Sequence, residues 1–222
     1  MTYELIIFDC DGTLVDSEYM NCLSASQAFI AAGFPRYTYD VIYNEFVGVT
    51  IKEIMAIIED ETGRKVPEDM PDRIIARVVE NTAAYLKPVD GVLEAVSWAA
   101  DKFKICVGSN GERVNVVNSI KTAGLAELLT EDRIYTSAMV AKGKPAPDLF
   151  LMAADKLAAD PAKTLVVEDT VVGVTAAKAA GMRVIGFIKM HAADPNYAGK
   201  LEKAGADHIM HDWAEFSALA DK

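Results

Sequence analysis

Short, uninterrupted apolar runs recur along this chain, and their spacing constrains the fold more than any other feature. Leu5–Phe8, Ile105–Val107, Leu165–Val167 and Val184–Ile185 are such runs, with weaker ones at Ile134–Thr136 and Asp207–Met210. Stretches this brief and this uniformly apolar suit strands covered on both faces, as in a parallel sheet. Helical periodicity falls between them. Val92, Val96 and Ala99 mark one helix, and Val114, Val117, Ile120 and Lys121 another. The stretch from Val171 to Ala180 is a third, closed by Gly181 as its C-terminal cap. This alternation predicts an α/β fold with a Rossmann-like, doubly wound, mainly parallel sheet.

One interval breaks the rhythm. Later strands begin roughly 20–30 residues apart, the size of one βα unit, but the gap from Phe8 to Lys104 is several times too long for one crossover. Helical patterns fill it. Ile51, Ile54, Met55 and Ile58 share one helix face, and segments 17–32, 38–46 and 71–86 also read as helical. Gly33, Pro35, Gly63, Pro67 and Pro71 supply the breaks. The expected organisation is a small α-helical domain over 15–87 inserted into a core of 1–14 and 88–222, with the chain returning near Lys87–Gly91.

A length of 222 residues accommodates a core with an insert, and 51% hydrophobic with 25% charged residues is an ordinary globular balance. The formal net charge of −11 argues against partnership with nucleic acid or an anionic membrane, both of which need excess Lys and Arg. No basic leader with a long apolar run opens the sequence, and no apolar stretch reaches spanning length, so a cytoplasmic location is expected. Cys10, Cys22 and Cys106 lack metal-type spacing and are expected to be free thiols. Nothing in the sequence specifies an oligomeric state.

Open parallel sheets bind ligands outside the carboxyl ends of their strands. Asp9 and Asp11 follow the first strand in "LIIFDCDGTLVDSE", and Gly108, Ser109 and Asn110 end the second. Lys144 lies in "KGKPAP" beyond the third, and Glu168 and Asp169 follow the fourth. Two like charges about 4 Å apart repel by roughly 4 kcal/mol at an effective dielectric of 20, so four carboxylates in one crevice must protonate, separate or bind a cation. Oxygen donors of this hardness favour Mg²⁺, which keeps several waters and takes up phosphate oxygens. Lys144 adds a point charge for a phosphate, and Ser109, Asn110 and backbone N–H groups complete a candidate cradle. An acidic surface does not steer an anion from afar, so such a site has to be built locally.

The segments "FDCDGTLVDS", "GSNG", "GKPAPD" and "VEDTVVGVTAAKAAG" resemble, in order and character, the four motifs of the haloacid dehalogenase-like hydrolase superfamily. With the helical insert, the chain resembles its phosphatase and β-phosphoglucomutase-like branch, over residues 5 to about 182. The resemblance implies that Asp9 is the nucleophile forming an aspartyl-phosphate and Asp11 the general acid/base. It further implies that Asp9, the Asp11 carbonyl and Asp169 hold Mg²⁺, with Glu168 ligating directly or through water. Ser109 and Lys144 would bind the transferring phosphoryl group, and Lys144–Pro145 would be a cis peptide. The insert would act as a mobile cap hinged near Val15–Asp16 and Lys87–Pro88 and carrying specificity.

The implied activity is Mg²⁺-dependent hydrolysis of a small phosphorylated metabolite, most similar to the sugar-phosphate phosphatases of the branch. Phosphosugar transfer by a mutase is the alternative. The cap histidine and arginine of β-phosphoglucomutases align with Asn21 and Ile51, which counts against it. Dehalogenation is disfavoured because that branch lacks an equivalent of Asp11. A phospho-aspartate receiver switch also uses acids, Mg²⁺ and a lysine, but lacks a large insert after its first strand.

Simpler readings compete at single positions. Asp9 and Asp11 alone could form a solvated turn, and Ser109 could cap the helix beginning near "GERVNVV". A cysteine-phosphatase role for Cys10 fails because flanking carboxylates raise a thiol pKa and the sixth residue onward is Asp16, where an arginine is needed. Cys10 is therefore expected to be packing. His191, His208 and His211 are expected at the surface or a sheet edge. Lys52 is a candidate substrate contact, against the simpler reading of a solvated lysine.

Overall fold

The structure is a computed structural model that describes residues 3–46, 49–192 and 194–221. In chain order its elements are β1 (Leu5–Phe8), β2 (Val15–Asp16), α1 (Glu18–Ala31), α2 (Tyr39–Phe46), α3 (Ile51–Thr62), α4 (Met70–Tyr85), β3 (Lys87–Pro88) and α5 (Val92–Ala100). Then come β4 (Lys104–Ser109), α6 (Arg113–Thr122), β5 (Ile134–Thr136), α7 (Asp148–Lys156), β6 (Thr164–Glu168) and α8 (Val171–Ala179). The chain ends with β7 (Arg183–Phe187), α9 (Tyr197–Ala204), β8 (His208–Met210) and α10 (Phe216–Ala220).

The described residues form a six-stranded sheet in the order β5-β4-β1-β6-β7-β8, with every pairing parallel. From β1 the chain goes to β4 and β5 on one side, then crosses to β6, β7 and β8 on the other. The strand order therefore reverses at β1, where doubly wound sheets bind ligands. Residues of β1 alternate between faces. Leu5 and Ile7 belong with Cys106, Val166, Phe150 of α7 and Val174 of α8 in one buried cluster. Phe8 on the other face meets the rings of Trp213 and Phe216, each with centroids 5.9 Å away. Trp98 of α5 packs edge-on against Phe216 of α10. Both faces of the central strand are thus covered, as its unbroken apolar sequence requires.

The chain divides into two compact units, Met1–Asp16 with Lys87–Lys222, and Ser17–Leu86. The second is helical. Its α1 and α4 are tied by Asn81 Nδ2, which donates to Ser24 Oγ at 3.0 Å and Gln27 Oε1 at 3.1 Å. Thr50 and Glu53 cap α3 reciprocally, each side chain satisfying the other's backbone N–H. The two crossing segments pair with each other as a short antiparallel ribbon, Val15 opposite Pro88 and Asp16 opposite Lys87. This ribbon belongs to the sheet-bearing unit, so the helical unit begins two residues later than the sequence boundary at 15 and ends one residue before 87.

Candidate active site

The polar ends of β1, β4 and β6 meet around one lysine. Lys144 Nζ donates to Asp9 Oδ1 at 2.6 Å and to Glu168 Oε1 at 2.7 Å. All three residues are buried, Lys144 to 8%, Asp9 to 6% and Glu168 to 1% exposure, so these charges interact with little solvent screening. The lysine reaches the strand ends because its backbone is clamped. Asn110 Oδ1 accepts from Lys144 N at 2.9 Å, and Asn110 Nδ2 donates to Lys144 O at 3.0 Å. The Lys144–Pro145 peptide is cis.

Two of the expected site residues already have partners within the protein. Asn110, expected in the phosphate cradle, spends both side-chain atoms on the Lys144 backbone. Glu168, expected near the metal, gives Oε1 to Lys144 and Oε2 to Thr170 N at 2.7 Å and Thr170 Oγ1 at 2.8 Å. Its carboxylate lies against the N-terminal turn of α8, where the helix dipole favours negative charge. A Cβ on Gly173 would stand only 1.7 Å from Glu168 Oε1, so a larger residue there displaces the carboxylate.

Asp169 is buried beside Glu168 and contacts the β1 loop. Thr13 Oγ1 lies 3.4 Å from Asp169 Oδ1, and a Cβ on Gly12 would fall 2.2 Å from Asp169 Oδ2. Gly12 has φ +78, so its backbone favours glycine for a second reason. That loop is closed by Cys10 O, which accepts from the N–H groups of Thr13, Leu14 and Val15. From the far end of the chain, Trp213 Nε1 donates to Thr13 O at 3.2 Å. Across from Asp169, Ser109 Oγ accepts from Gly111 N at 3.0 Å. A Cβ on Gly111 would lie 3.3 Å from that hydroxyl and 3.4 Å from Asp11 Oδ2, which places Asp11 and Ser109 on one rim. The N-cap of α6 is Glu112, not Ser109.

His191, expected at the surface or a sheet edge, lies in the turn after β7 and reaches a site residue. It is half-buried, its Nε2 lies 2.8 Å from Asp169 Oδ2, and its ring stacks on Tyr197 with centroids 3.9 Å apart. No local motif marks it, since it lies 22 residues from Asp169 and meets it only through the adjacency of β6 and β7. His208 is half-buried in β8, and His211 is exposed. Lys52 is exposed on the first turn of α3. Cys10 is fully buried and its thiol is pushed up by burial and then by Asp11 and Asp9, as packing requires.

Burial and neighbouring charges set the ionisation of the site. Burial pushes Asp9 well above the usual carboxylate range; Lys144 opposes this, and Glu168 and Asp169 add to it. Burial pushes Asp169 up to about 6 against the hydrogen bond from His191. Lys144 is raised despite burial, because Asp9 and Glu168 hold it charged. Ionising all three buried carboxylates against one ammonium would leave an excess of negative charge, which a bound cation would offset. Among the described residues no three His, Cys, Asp or Glu side chains stand close enough to cage a metal alone. Mg²⁺ takes one or two carboxylates and keeps most of its waters, so Asp9 and Asp169 are the residues that would hold it. The residues fit a hard divalent cation.

A Rossmann-like parallel sheet that gathers buried carboxylates and a lysine at its strand ends, with a helical unit set in after β1, is the architecture on which the chain's relatives are compared. The sequence profile of the family described as haloacid dehalogenase-like hydrolase matches residues 6–187, and the chain belongs to that family. It is 31% identical over 219 residues to validoxylamine A 7'-phosphate phosphatase of Streptomyces hygroscopicus subsp. limoneus, covering 96% of this chain and 95% of that protein. It is 26% identical to 6-phosphogluconate phosphatase of Escherichia coli K12, covering 87% of this chain and 84% of that one. A solved haloacid dehalogenase family hydrolase from Deinococcus radiodurans R1, with bound phosphate and sodium, superposes with a TM-score of 0.75 at 28% identity, covering 99% and 96% of the two chains. Within the family the chain is a hydrolase acting on phosphomonoesters. No helix among the described residues is long and apolar enough to cross a membrane.

Proposed function

We propose that this phosphatase hydrolyses a small sugar phosphate in two steps through Asp9, with Mg²⁺ held by Asp9, Asp169 and the Asp11 backbone carbonyl. The observation that carries this reading is the Lys144 bridge, in which one buried ammonium touches both Asp9 and Glu168 where the strand order reverses. A carboxylate raised by burial is a poor nucleophile unless positive charge holds it ionised, and Lys144 supplies part of that charge. Bound Mg²⁺ would supply the rest and offset the charge of the phosphoryl oxygens.

An Asp9 carboxylate oxygen attacks phosphorus as the bond to the sugar oxygen breaks. Asp11 donates a proton to that leaving oxygen. Asp11, now a carboxylate, takes a proton from the water that attacks the phosphorus of the aspartyl-phosphate, and inorganic phosphate leaves with Asp9 restored. Ser109 Oγ and Lys144 Nζ bind the transferring oxygens. Glu168 orients the lysine from the N-terminus of α8. The unit Ser17–Leu86 carries substrate selectivity, with Lys52 of α3 as its candidate substrate-binding residue.

The names of the two relatives support a small phosphorylated compound as substrate, one of them a phosphorylated sugar acid. Release of inorganic phosphate from a panel of phosphorylated sugars, with Mg²⁺ and with a chelator, tests the proposal. Mg²⁺-dependent turnover of members of the panel is expected. Equal turnover in the chelator would remove the metal from the account.

A further inference from the structure

We infer that His191 is a positioning residue for the metal site: its Nε2–H fixes Asp169, and Tyr197 fixes its ring. This rests on the proposal that Asp169 is a metal ligand. A carboxylate that ligates a cation is ionised and only accepts hydrogen bonds, so with Asp169 in that role the 2.8 Å contact to its Oδ2 requires the proton on Nε2 of His191. The other oxygen, Oδ1, faces Thr13 Oγ1 at 3.4 Å. Asp169 is therefore gripped from two sides, by the β1 loop and by the turn after β7. Each oxygen retains a lone pair for a cation, as ligating carboxylates with hydrogen-bonded outer partners do.

The imidazole is itself held. Its ring lies on Tyr197 with centroids 3.9 Å apart and an interplanar angle of 13°. The backbone around it is a staircase of turns, with His191 N donating to Ile188 O, Asp194 N to His191 O and Tyr197 N to Asp194 O, each at 3.0 Å. The staircase starts at the end of β7, which pairs with β6 through Glu168 and Gly186, so sheet register delivers the histidine to Asp169. A surface histidine needs neither the buried partner nor the stack.

Calorimetric titration with Mg²⁺ alone tests this on the wild type, His191→Phe and His191→Gln. Phe keeps the stack and removes the donor; Gln places an amide N–H near the position of Nε2. The expected result is Mg²⁺ affinity about 10–100-fold weaker in His191→Phe, with His191→Gln, which regains the donor but not the stack, recovering part of that loss. In turnover assays His191→Phe should need more Mg²⁺ for half-activation yet reach a near-normal kcat when saturated. Wild-type affinity in His191→Phe, or a Gln variant as weak as the Phe variant, would overturn the inference while leaving the metal site intact. A wild type that binds no Mg²⁺ would overturn the metal site and this inference with it.

Discussion

Lys144 Nζ and Asp9 Oδ1 stand 2.6 Å apart, joining the third motif to the first across 135 residues of chain. Breaking a buried ion pair from one side strands its partner, which typically costs about 3–5 kcal/mol. Lys144→Met strands Asp9 and Glu168 together. It is expected to lower kcat by at least about 10²–10³-fold, the usual effect of losing one preorganised donor, and to lower stability in urea denaturation. Phosphatase activity within a few-fold of wild type would contradict the assigned role.

The contact between Gly173 and Glu168 makes a sharper case. Alanine at 173 would put its Cβ 1.7 Å from Glu168 Oε1, so the carboxylate has to leave its place between Lys144 and Thr170. Gly173→Ala is expected to destabilise by about 1–3 kcal/mol, as overpacking does, and to reduce kcat without touching substrate. Thermal unfolding and steady-state kinetics measured together check this. Unchanged values in both would show that Glu168 is not held as described.

Trp213 ties the C-terminal segment to the loop after β1 through Thr13 O and is 2% exposed. Trp213→Phe removes the indole donor and is expected to cost about 1 kcal/mol or more. Trp213→Ala should cost about 3–5 kcal/mol. The Phe variant should also lose kcat, because the loop bearing Asp9 and Asp11 loses a support. Chemical denaturation with parallel activity measurements distinguishes the two effects.

Asp207 gives the stability a pH dependence away from the site. Burial pushes its pKa up, but hydrogen bonds from Lys178 and the Val184 N–H, with the charge of Arg183, outweigh burial and leave it below the usual value. A carboxyl whose folded pKa is depressed stabilises the fold above its unfolded pKa, near about 3.9, and loses that contribution as pH falls through the folded value. Asp207→Asn is expected to unfold more easily than wild type at neutral pH, with the gap closing below about pH 4. A gap that persisted unchanged into strong acid would show that the charge is not the source.

The elements most legible in the sequence are those whose pattern is local. The β1 run Leu5–Phe8 is wholly buried, and the helical segments read at 17–32 and 71–86 became Glu18–Ala31 and Met70–Tyr85. The helices Asp148–Lys156, Tyr197–Ala204 and Phe216–Ala220 add to those marked by periodicity. The β2–β3 ribbon was invisible because two-residue strands carry no period, and Pro88 argues against a strand in isolation.

In the candidate site, Asp9, Ser109, Lys144, Glu168 and Asp169 could be found because strand ends are readable and the sheet gathers them. What each side chain spends its hydrogen bonds on could not. Asn110 clamps a backbone two elements away, and Glu168 faces a lysine and a helix N-terminus instead of open solvent. His191 and Trp213 reach the site only through strand order and the packing of the C-terminal segment. No spacing rule along the chain encodes either contact.

The central claim is that Asp9 carries the phosphoryl group. Borohydride reduction of enzyme quenched during turnover with a phosphorylated sugar and Mg²⁺ converts an acyl phosphate on aspartate to homoserine, which peptide mass spectrometry locates. Homoserine at position 9, absent in Asp9→Asn and in unreacted enzyme, is the result predicted. Efficient turnover with no reduction at Asp9, or with reduction at another carboxylate, would contradict it.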